Sequence, residues 1–179
     1  MHWTLSDLIA DISQNACESG GTAVELLVDE NESGLHFSVK DNGSGMSEAA
    51  VKQALDPFVT DRVKHPHRRI GLGLPFLVQT AEQSGGRWQV DSKLGVGTEV
   101  SAYFDSGNID RPPVGDLPGM FRTLLFFPGP SEVLITRSGK RQYTIRKTEL
   151  MAILGDCEDS QSLILAGQYI RSLEEVNSE

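Results

Sequence analysis

The chain has 179 residues, its formal net charge is −9, and 39% of its residues are hydrophobic and 23% charged. This is the size and composition of a soluble globular protein with one domain, or with one domain and a small module. The excess of negative charge argues against binding to nucleic acid, because an acidic surface gains nothing from phosphate contacts. No apolar run reaches the roughly 18 residues of a membrane-spanning helix, so we expect no membrane span.

The N-terminus and the two cysteines indicate the compartment. Residues 1–4 lack the basic segment and apolar core of a secretion signal. Cys17 and Cys157 lie far apart in the sequence and form no Cys-x-x-Cys motif, so we expect two reduced thiols. Together these features predict a cytoplasmic protein.

The first hundred residues alternate between helical and extended patterns of apolar residues. In chain order, these patterns predict a helix over 4–18, strands over 22–29 and 34–40, helices over 48–55 and 72–84, and strands over 87–92 and 98–104. Turn residues at 31–34 join the first two strands, so we expect an antiparallel hairpin there. Residues 57–70 have no clear period and many basic side chains, which is typical of a mobile loop.

Prolines and glycines interrupt every pattern between residues 105 and 119. We therefore predict a first domain over 1–105, a linker over 106–119 and a small C-terminal α+β module over 120–179. In the module, the patterns predict a buried strand over 121–127, a hairpin of strands over 132–137 and 142–146, and helices over 147–154 and 160–175. About sixty residues make a marginal independent core, so we expect the module to pack on the first domain.

Five short segments in the first domain carry the functional signal. They are Asp11-x-x-x-Asn15, Asp41-Asn42-Gly43-Ser44-Gly45, Asp56-Pro57-Phe58, Gly71-Leu72-Gly73-Leu74 and Gly95-Val96-Gly97-Thr98. Each segment alone is more often a plain turn, a helix start or a solvated helix face. In this order and spacing, they indicate a pocket for a nucleotide and its metal ion. The chain lacks the glycine motifs of P-loop and Rossmann nucleotide sites.

Three polar residues have the chemistry that a purine nucleotide with Mg²⁺ needs. Asp41 ends an apolar strand, where its carboxylate can accept a hydrogen bond from the exocyclic amine of adenine. Asn15 offers a neutral amide oxygen to Mg²⁺. Asp11 precedes Asn15 by four residues, so both lie on one helix face, and Asp11 could act as the catalytic base for water.

The remaining candidates concern the base and the phosphates. Gly43 and Gly45 allow the backbone to approach the base, and the amides after Gly71 and Gly73 could hold phosphate oxygens at a helix N-terminus. The basic loop could close over the triphosphate as a lid, with Arg68 and Arg69 as phosphate contacts. The full set of candidate nucleotide-binding residues is Asn15, Asp41, Gly43, Gly45, Met46, Phe58, Arg68, Arg69, Gly71, Leu72, Gly73, Leu74 and Thr98. His65 and His67 in the same loop favour solvated side chains over a metal site.

With these motifs, the first 105 residues resemble the ATPase domain shared by DNA gyrase, the ninety-kilodalton heat-shock chaperones, sensor histidine kinases and mismatch-repair ATPases, which is the GHKL or Bergerat fold. The segment from Asp11 to Asn15 resembles its N box, and Asp56-Pro57-Phe58 resembles its F box. The three glycine-containing segments resemble its glycine boxes. The resemblance implies an α/β fold: a two-layer α/β sandwich with a mixed sheet, in which ATP or ADP lies between the helices and a lid.

Two functions stay open at this point. In the first, the chain binds Mg²⁺-ATP and hydrolyses it slowly, or transfers phosphate to a protein partner in signalling. In the second, it is a non-catalytic interaction module that senses the nucleotide. Asp11 stands where hydrolytic relatives have the longer Glu, and no helical hairpin with an acceptor His precedes the domain, so we do not expect a self-contained histidine kinase. A homodimer is compatible with either function.

Overall fold

A computed structural model describes residues 4–56, 73–155 and 160–175. In chain order, its helices and strands are α1 (Leu5–Cys17), β1 (Ala23–Glu30), β2 (Gly34–Asp41), α2 (Glu48–Leu55), α3 (Gly73–Gln83), β3 (Arg87–Lys93), β4 (Gly97–Asp105), α4 (Leu117–Leu125), β5 (Glu132–Gly139), β6 (Tyr143–Arg146), α5 (Lys147–Leu154) and α6 (Ser160–Glu175). Within these ranges, no helix combines the length and the apolar character needed to cross a lipid bilayer.

The strands form one six-stranded sheet in the order β3-β4-β2-β1-β5-β6. The pair β1 and β5 is parallel, and the other neighbouring pairs are antiparallel. The sheet is therefore mixed. The predicted hairpin of the first two strands is confirmed, with Leu26 opposite Val39 and Val28 opposite Phe37.

The hydrophobic core lies between one face of the sheet and the helices. Alternate residues of the strands are buried on this face, among them Leu26, Phe37, Val100 and Ile135. Helix α1 packs on β1 and β2 with a stripe of buried apolar side chains. Its first turn is closed by a capping box, in which the Asp7 amide donates to the Thr4 hydroxyl and the Thr4 amide donates to the Asp7 carboxylate. The predicted two-layer α/β sandwich is confirmed.

The predicted buried strand over 121–127 is wrong, because residues 121–125 belong to helix α4 and residues 126 and 127 follow its end. The five buried side chains of α4 recur at helical spacing, and they are Leu117, Met120, Phe121, Leu124 and Leu125. Asp116 caps the helix by accepting from the Gly119 amide at 3.0 Å, so α4 begins inside the predicted linker. The apolar residues in the second half of α4 were interpreted as a strand, because Pro118 and Gly119 in its first turn are residues typical of a linker.

The C-terminal elements continue the sheet of the first domain. Strand β5 pairs with β1 along its whole length, from Ala23 opposite Glu132 to Glu30 opposite Gly139. Helix α6 packs on α4, which in turn packs on α1. We propose that residues 120–155 and 160–175 fold in one cooperative step with the elements from α1 to β4.

Cys17 should be chemically inert in the folded protein. Its side chain is 3% exposed, and burial raises the pKa of its thiol to about 11 although the charge of Lys147 opposes the shift. A shift of about two units leaves roughly a hundredth of the usual thiolate near pH 8. In a Cys157→Ser variant, a thiol reagent should therefore label the native protein about 100-fold more slowly than the protein in guanidinium chloride. Equal labelling rates would contradict the buried position of Cys17.

Candidate functional site

A cavity of about 330 Å³ opens between helix α1 and the ends of β2 and β4. The residues that line it come from α1 and the loop after it, β2 and the loop after it, α2, α3 and β4. They are Ile12, Asn15, Ala16, Glu18, Ser19, Val39, Asp41, Ser44, Gly45, Met46, Ala54, Leu74, Thr98 and Val100. The structure thus brings together residues from four of the five predicted segments. Ala54 comes from α2, which directly precedes the remaining segment, residues 56–58. Apolar walls with a few polar groups are typical of a site for a small organic ligand.

The loop from Asn42 to Met46 is fixed to the neighbouring elements by hydrogen bonds. The Asn42 side-chain oxygen accepts from the amides of Thr22 at 2.8 Å and Ala23 at 2.9 Å. The Ser44 amide donates to the Ser19 carbonyl at 3.1 Å, and the Ser44 carbonyl accepts from Gly95 at 2.7 Å. The loop therefore forms a rigid rim of the cavity.

Asp41 is the buried charged group of this cavity. It is the last residue of β2, its side chain is 7% exposed, and it lies directly opposite Thr98 of β4. One carboxylate oxygen accepts from the Gly43 amide at 2.8 Å. This hydrogen bond orients the carboxylate, and Gly43 contributes to the site through its amide.

Two glycines permit the close approach of the loops around the cavity. Gly45 has φ +60°, and a Cβ atom there would collide with the carbonyl oxygen of Lys93. Gly97 has φ +134°, and a Cβ atom there would collide with the carbonyl oxygen of Asp41. A side chain at either position would push β3 and β4 away from the loop after β2.

The first turn of α3 lies against the middle of α1. A Cβ atom built on Gly73 would be 3.4 Å from Nδ2 of Asn15 and 3.6 Å from Cβ of Asp11. Asn15 and Leu74 both line the cavity. Asp11 is exposed and lies outside the lining, one turn before Asn15. The predicted proximity of the first and fourth segments is therefore present.

Five of the predicted site residues lie outside the described residues. They are Phe58, Arg68, Arg69, Gly71 and Leu72, and the predicted lid over 57–70 lies there with His65 and His67. Within the described ranges, no group of three His, Cys, Asp or Glu side chains could hold a metal ion.

Ser92 lies beside the cavity without lining it, and the sequence analysis did not single it out. It lies on β3, and its hydroxyl contacts Met46, Gly97 and Thr98. The sequence contained a signal for a partnered Ser92, because every second residue of a strand shares a face and Ser92 therefore shares one with Trp88 and Val90. A serine on an apolar face is a polar group that needs partners.

Residues 3–108 match the family model described as histidine kinase-, DNA gyrase B-, and HSP90-like ATPase. This range is more than half of the chain, and it contains every candidate site residue.

Several curated relatives match about half of this chain. A putative sensor protein of Shewanella frigidimarina is 31% identical over 103 residues. The tetrathionate sensor histidine kinase TtrS of Salmonella typhimurium is 34% identical over 104 residues, and sporulation kinase A of Bacillus subtilis is 33% identical over 103 residues. Each match covers 56% of this chain but only 15%, 17% and 16% of the respective relative.

Proposed function

We propose that this chain, which belongs to the family of histidine kinase-, DNA gyrase B-, and HSP90-like ATPases, binds Mg²⁺-ATP in the cavity beside α1. The observation that carries the proposal is the buried carboxylate of Asp41 at the end of an apolar cavity that also contains Asn15. A buried carboxylate needs hydrogen-bond donors, and the exocyclic amine of adenine is such a donor.

The adenine end of the cavity is the end that contains Asp41 and Thr98. The apolar side chains of Ile12, Val39 and Val100 also line the cavity and could contact the faces of the base. Guanine presents a carbonyl oxygen where adenine presents its amine, and this oxygen would face the acceptor oxygens of Asp41. The site should therefore prefer adenine nucleotides.

The phosphates and the metal are assigned to the end of the cavity near Asn15 and α3. The described lining contains the carboxylates of Asp41 and Glu18 and no Lys or Arg. Because the triphosphate is also negatively charged, it should lie away from these two carboxylates. Amides at the start of α3 could hold phosphate oxygens there. Mg²⁺ prefers hard oxygen ligands and usually takes one or two from the protein, so the Asn15 amide oxygen fits this group. When bound, the metal would neutralise charge on the phosphates.

We further propose that the bound ATP is hydrolysed slowly or that its phosphate is transferred to a protein partner in signalling. The support is the similarity to a sensor histidine kinase and a sporulation kinase over 56% of this chain. Asp11 is the candidate base because it lies one helical turn from Asn15 and near Gly73. Its carboxylate is one methylene shorter than that of Glu, so turnover should be slow.

A nucleotide-sensing module without chemistry is the second candidate. One observation favours it: Asp11 is exposed and does not line the cavity. In this case the nucleotide would act by changing contacts with a partner. The hydrolysis experiment with Asp11 variants, argued in the Discussion, separates the two functions.

Replacing Asp41 with asparagine should weaken ATP binding by about 1–3 kcal/mol, which is the range for a lost hydrogen bond to a charged group. Isothermal titration calorimetry with ATP and with GTP measures this effect. The parent should bind ATP and not GTP. Equal affinity of the parent for both nucleotides would overturn the assignment of Asp41.

Asp91→Asn is the matched control for this experiment. It removes the same charge from an exposed position on β3. Its ATP affinity should equal that of the parent, because screening makes distant exposed charges weak. If Asp91→Asn lost as much ATP affinity as Asp41→Asn, the change in net charge would explain both losses and Asp41 would have no specific role.

A further inference from the structure

Strand β3 forms one edge of the sheet. It is the first strand in the sheet order, and β4 is its strand neighbour in the described part of the chain. The two strands pair without interruption from Arg87 opposite Tyr103 to Lys93 opposite Gly97. On the other side of β3, the backbone amides and carbonyls of alternate residues point away from the sheet. A further strand could therefore pair with β3 along its length.

The side chains of β3 form a charged face and an apolar face. Four side chains on one face are exposed, and they are Arg87, Gln89, Asp91 and Lys93. On the other face, Trp88 and Val90 are half-buried against the core. Among the described residues, no carboxylate pairs with Arg87, and Asp91 accepts a hydrogen bond from the neighbouring Gln89 at 2.6 Å. Both charges therefore remain available to a partner.

A second copy of β3 can pair with the first in a register that matches these charges. Two identical antiparallel strands in one sheet are related by a two-fold axis, and residues that lie opposite each other share a face. With the axis at Gln89, Arg87 of each copy lies opposite Asp91 of the other. Two pairs of opposite charge then form on the exposed face. On the apolar face, Trp88 lies opposite Val90, which is a favourable pair of an aromatic and a β-branched side chain.

The neighbouring registers lack this match. With the axis at Val90, Arg87 would lie opposite Lys93 of the other copy. With the axis at Asp91, two Asp91 carboxylates would face each other. Like charges directly opposite each other destabilise a strand pair. The charge pattern of β3 therefore favours the register centred on Gln89.

The strand at the opposite edge of the sheet does not have such a pattern. Strand β6 has only four residues, from Tyr143 to Arg146. It carries the charge of Arg146 and no carboxylate, so a second copy of β6 could not pair with this charge. Pairing between copies is therefore better supported at β3 than at β6.

We propose that the edge of β3 is an interaction surface for a second copy of this chain, and that the two copies join into one continuous sheet centred on Gln89. The contact is isologous, because each copy contributes the same residues. The two-fold axis runs perpendicular to the sheet, so the helices of both copies lie on the same face of the joined sheet. The inference goes beyond the proposed function and does not depend on a bound nucleotide.

The test is sedimentation equilibrium of the purified chain from micromolar to millimolar concentration. The parent should show an equilibrium between monomer and dimer. Arg87→Asp and Asp91→Arg should each raise the dissociation constant of the dimer about 10-fold or more, because each places like charges opposite each other at both symmetric positions. The double variant restores opposite charges in the reverse order and should dimerise as the parent does.

Two comparisons separate this contact from an effect of net charge. The double variant has the same net charge as the parent, so its recovery can only come from the pairing of the two positions. Arg171→Asp changes the net charge as Arg87→Asp does, but at an exposed position on α6. It should dimerise as the parent does, because distant exposed charges are screened by salt.

Disulfide cross-linking tests the register without altering either charge. In a Cys157→Ser background, Cys17 is buried, and Gln89→Cys would place two thiols opposite each other at the two-fold axis. Mild oxidation should therefore give a covalent dimer. Lys93→Cys is the matched control on the same strand and face. It should cross-link much more slowly, because residue 93 of each copy would lie opposite residue 85 of the other.

The contrary results are equally clear. A parent that stays monomeric up to millimolar concentration would overturn the inference. A dimer that neither single charge reversal weakens would also overturn it, because the contact would lie elsewhere. A double variant that folds by circular dichroism but does not recover dimerisation, or a Lys93→Cys variant that cross-links as fast as Gln89→Cys, would overturn the register centred on Gln89. If a charge variant does not fold, the thiol variants decide alone.

Discussion

Replacing Arg137 with methionine is expected to lower the free energy of unfolding by about 3–5 kcal/mol, the usual effect of removing one partner of a buried ion pair. The Arg137 side chain on β5 is 2% exposed. Its Nη2 is 2.6 Å from a carboxylate oxygen of Glu30 on β1, and its Nε is 3.0 Å from one of Glu174 on α6. Methionine fills similar space but leaves both carboxylates without their buried partner.

Urea unfolding followed by circular dichroism measures this loss. Arg146→Met is the matched control, because Arg146 is an exposed arginine on β6 whose nitrogens are 3.9 Å from the nearest carboxylates of Glu132 and Glu149. Such an exposed pair contributes about 1 kcal/mol or less. A loss in Arg137→Met no larger than that in Arg146→Met would contradict the structural role of the cluster.

The pH dependence gives a second signature of the same cluster. Burial raises the pKa of Glu30, but hydrogen bonds from Lys140 and Arg137 and their charges outweigh it, so the pKa lies below its ordinary value of 4.5. A lowered pKa contributes stability that is present above the ordinary value and is lost as the pH falls through the folded-state value. The parent should therefore lose stability more steeply in acid than Arg137→Met, which has already lost part of this interaction.

Local patterns were sufficient to predict most elements of this fold. The helix α1, the β1–β2 hairpin and the β3–β4 pair depend on residues that are close in sequence, and their predicted limits agree with the structure within two residues. The error at α4 has the same origin, because apolar residues of a short helix resemble a buried strand when its cap is not recognised. Asp116 was the missing signal.

The position of β5 could not be predicted in this way. Strand β5 pairs in parallel with β1 although about 110 residues separate Val24 from Val133. Its register depends on burial of a face that forms only in the folded sheet. Arg137 illustrates the limit, because an arginine in an alternating strand indicates a solvated position, and its two carboxylate partners lie 107 and 37 residues away.

For the site, the sequence predicted the family, and the structure shows which candidate residues lie around one cavity, while their binding roles stay predictions. The match over residues 3–108 confirms the family. Asn15, Asp41, Gly45, Met46, Leu74 and Thr98 line one cavity. Ser92 was missed although its place on the apolar face of the predicted strand was visible, because its contacts with Met46, Gly97 and Thr98 form only in the folded sheet and loop.

Asp11→Asn and Asn15→Ala should separate chemistry from binding. Asp11→Asn should reduce any ATP hydrolysis by about 10²–10⁴-fold, the usual contribution of a general base, and leave ATP affinity unchanged. Asn15→Ala should lose both hydrolysis and most of the Mg²⁺-dependent affinity, because the metal connects protein and phosphates. Phosphate release is measured at saturating ATP, and affinity is measured by calorimetry with Mg²⁺ and with EDTA.

The control for both variants is Gln14→Ala, which alters an exposed residue of the same helix whose amide donates to Glu18 at 2.9 Å. It should hydrolyse and bind ATP as the parent does. With EDTA, Asn15→Ala should bind ATP as tightly as the parent, since the amide acts through the metal; a loss that persists in EDTA would remove Asn15 from the metal site. Asp11 lies one turn from Asn15 but outside the cavity lining, so its role as the base needs this direct test. An Asp11→Asn variant that hydrolyses ATP at the parent's rate would show that Asp11 is not the base. The nucleotide-sensing module would then be the better account of this chain.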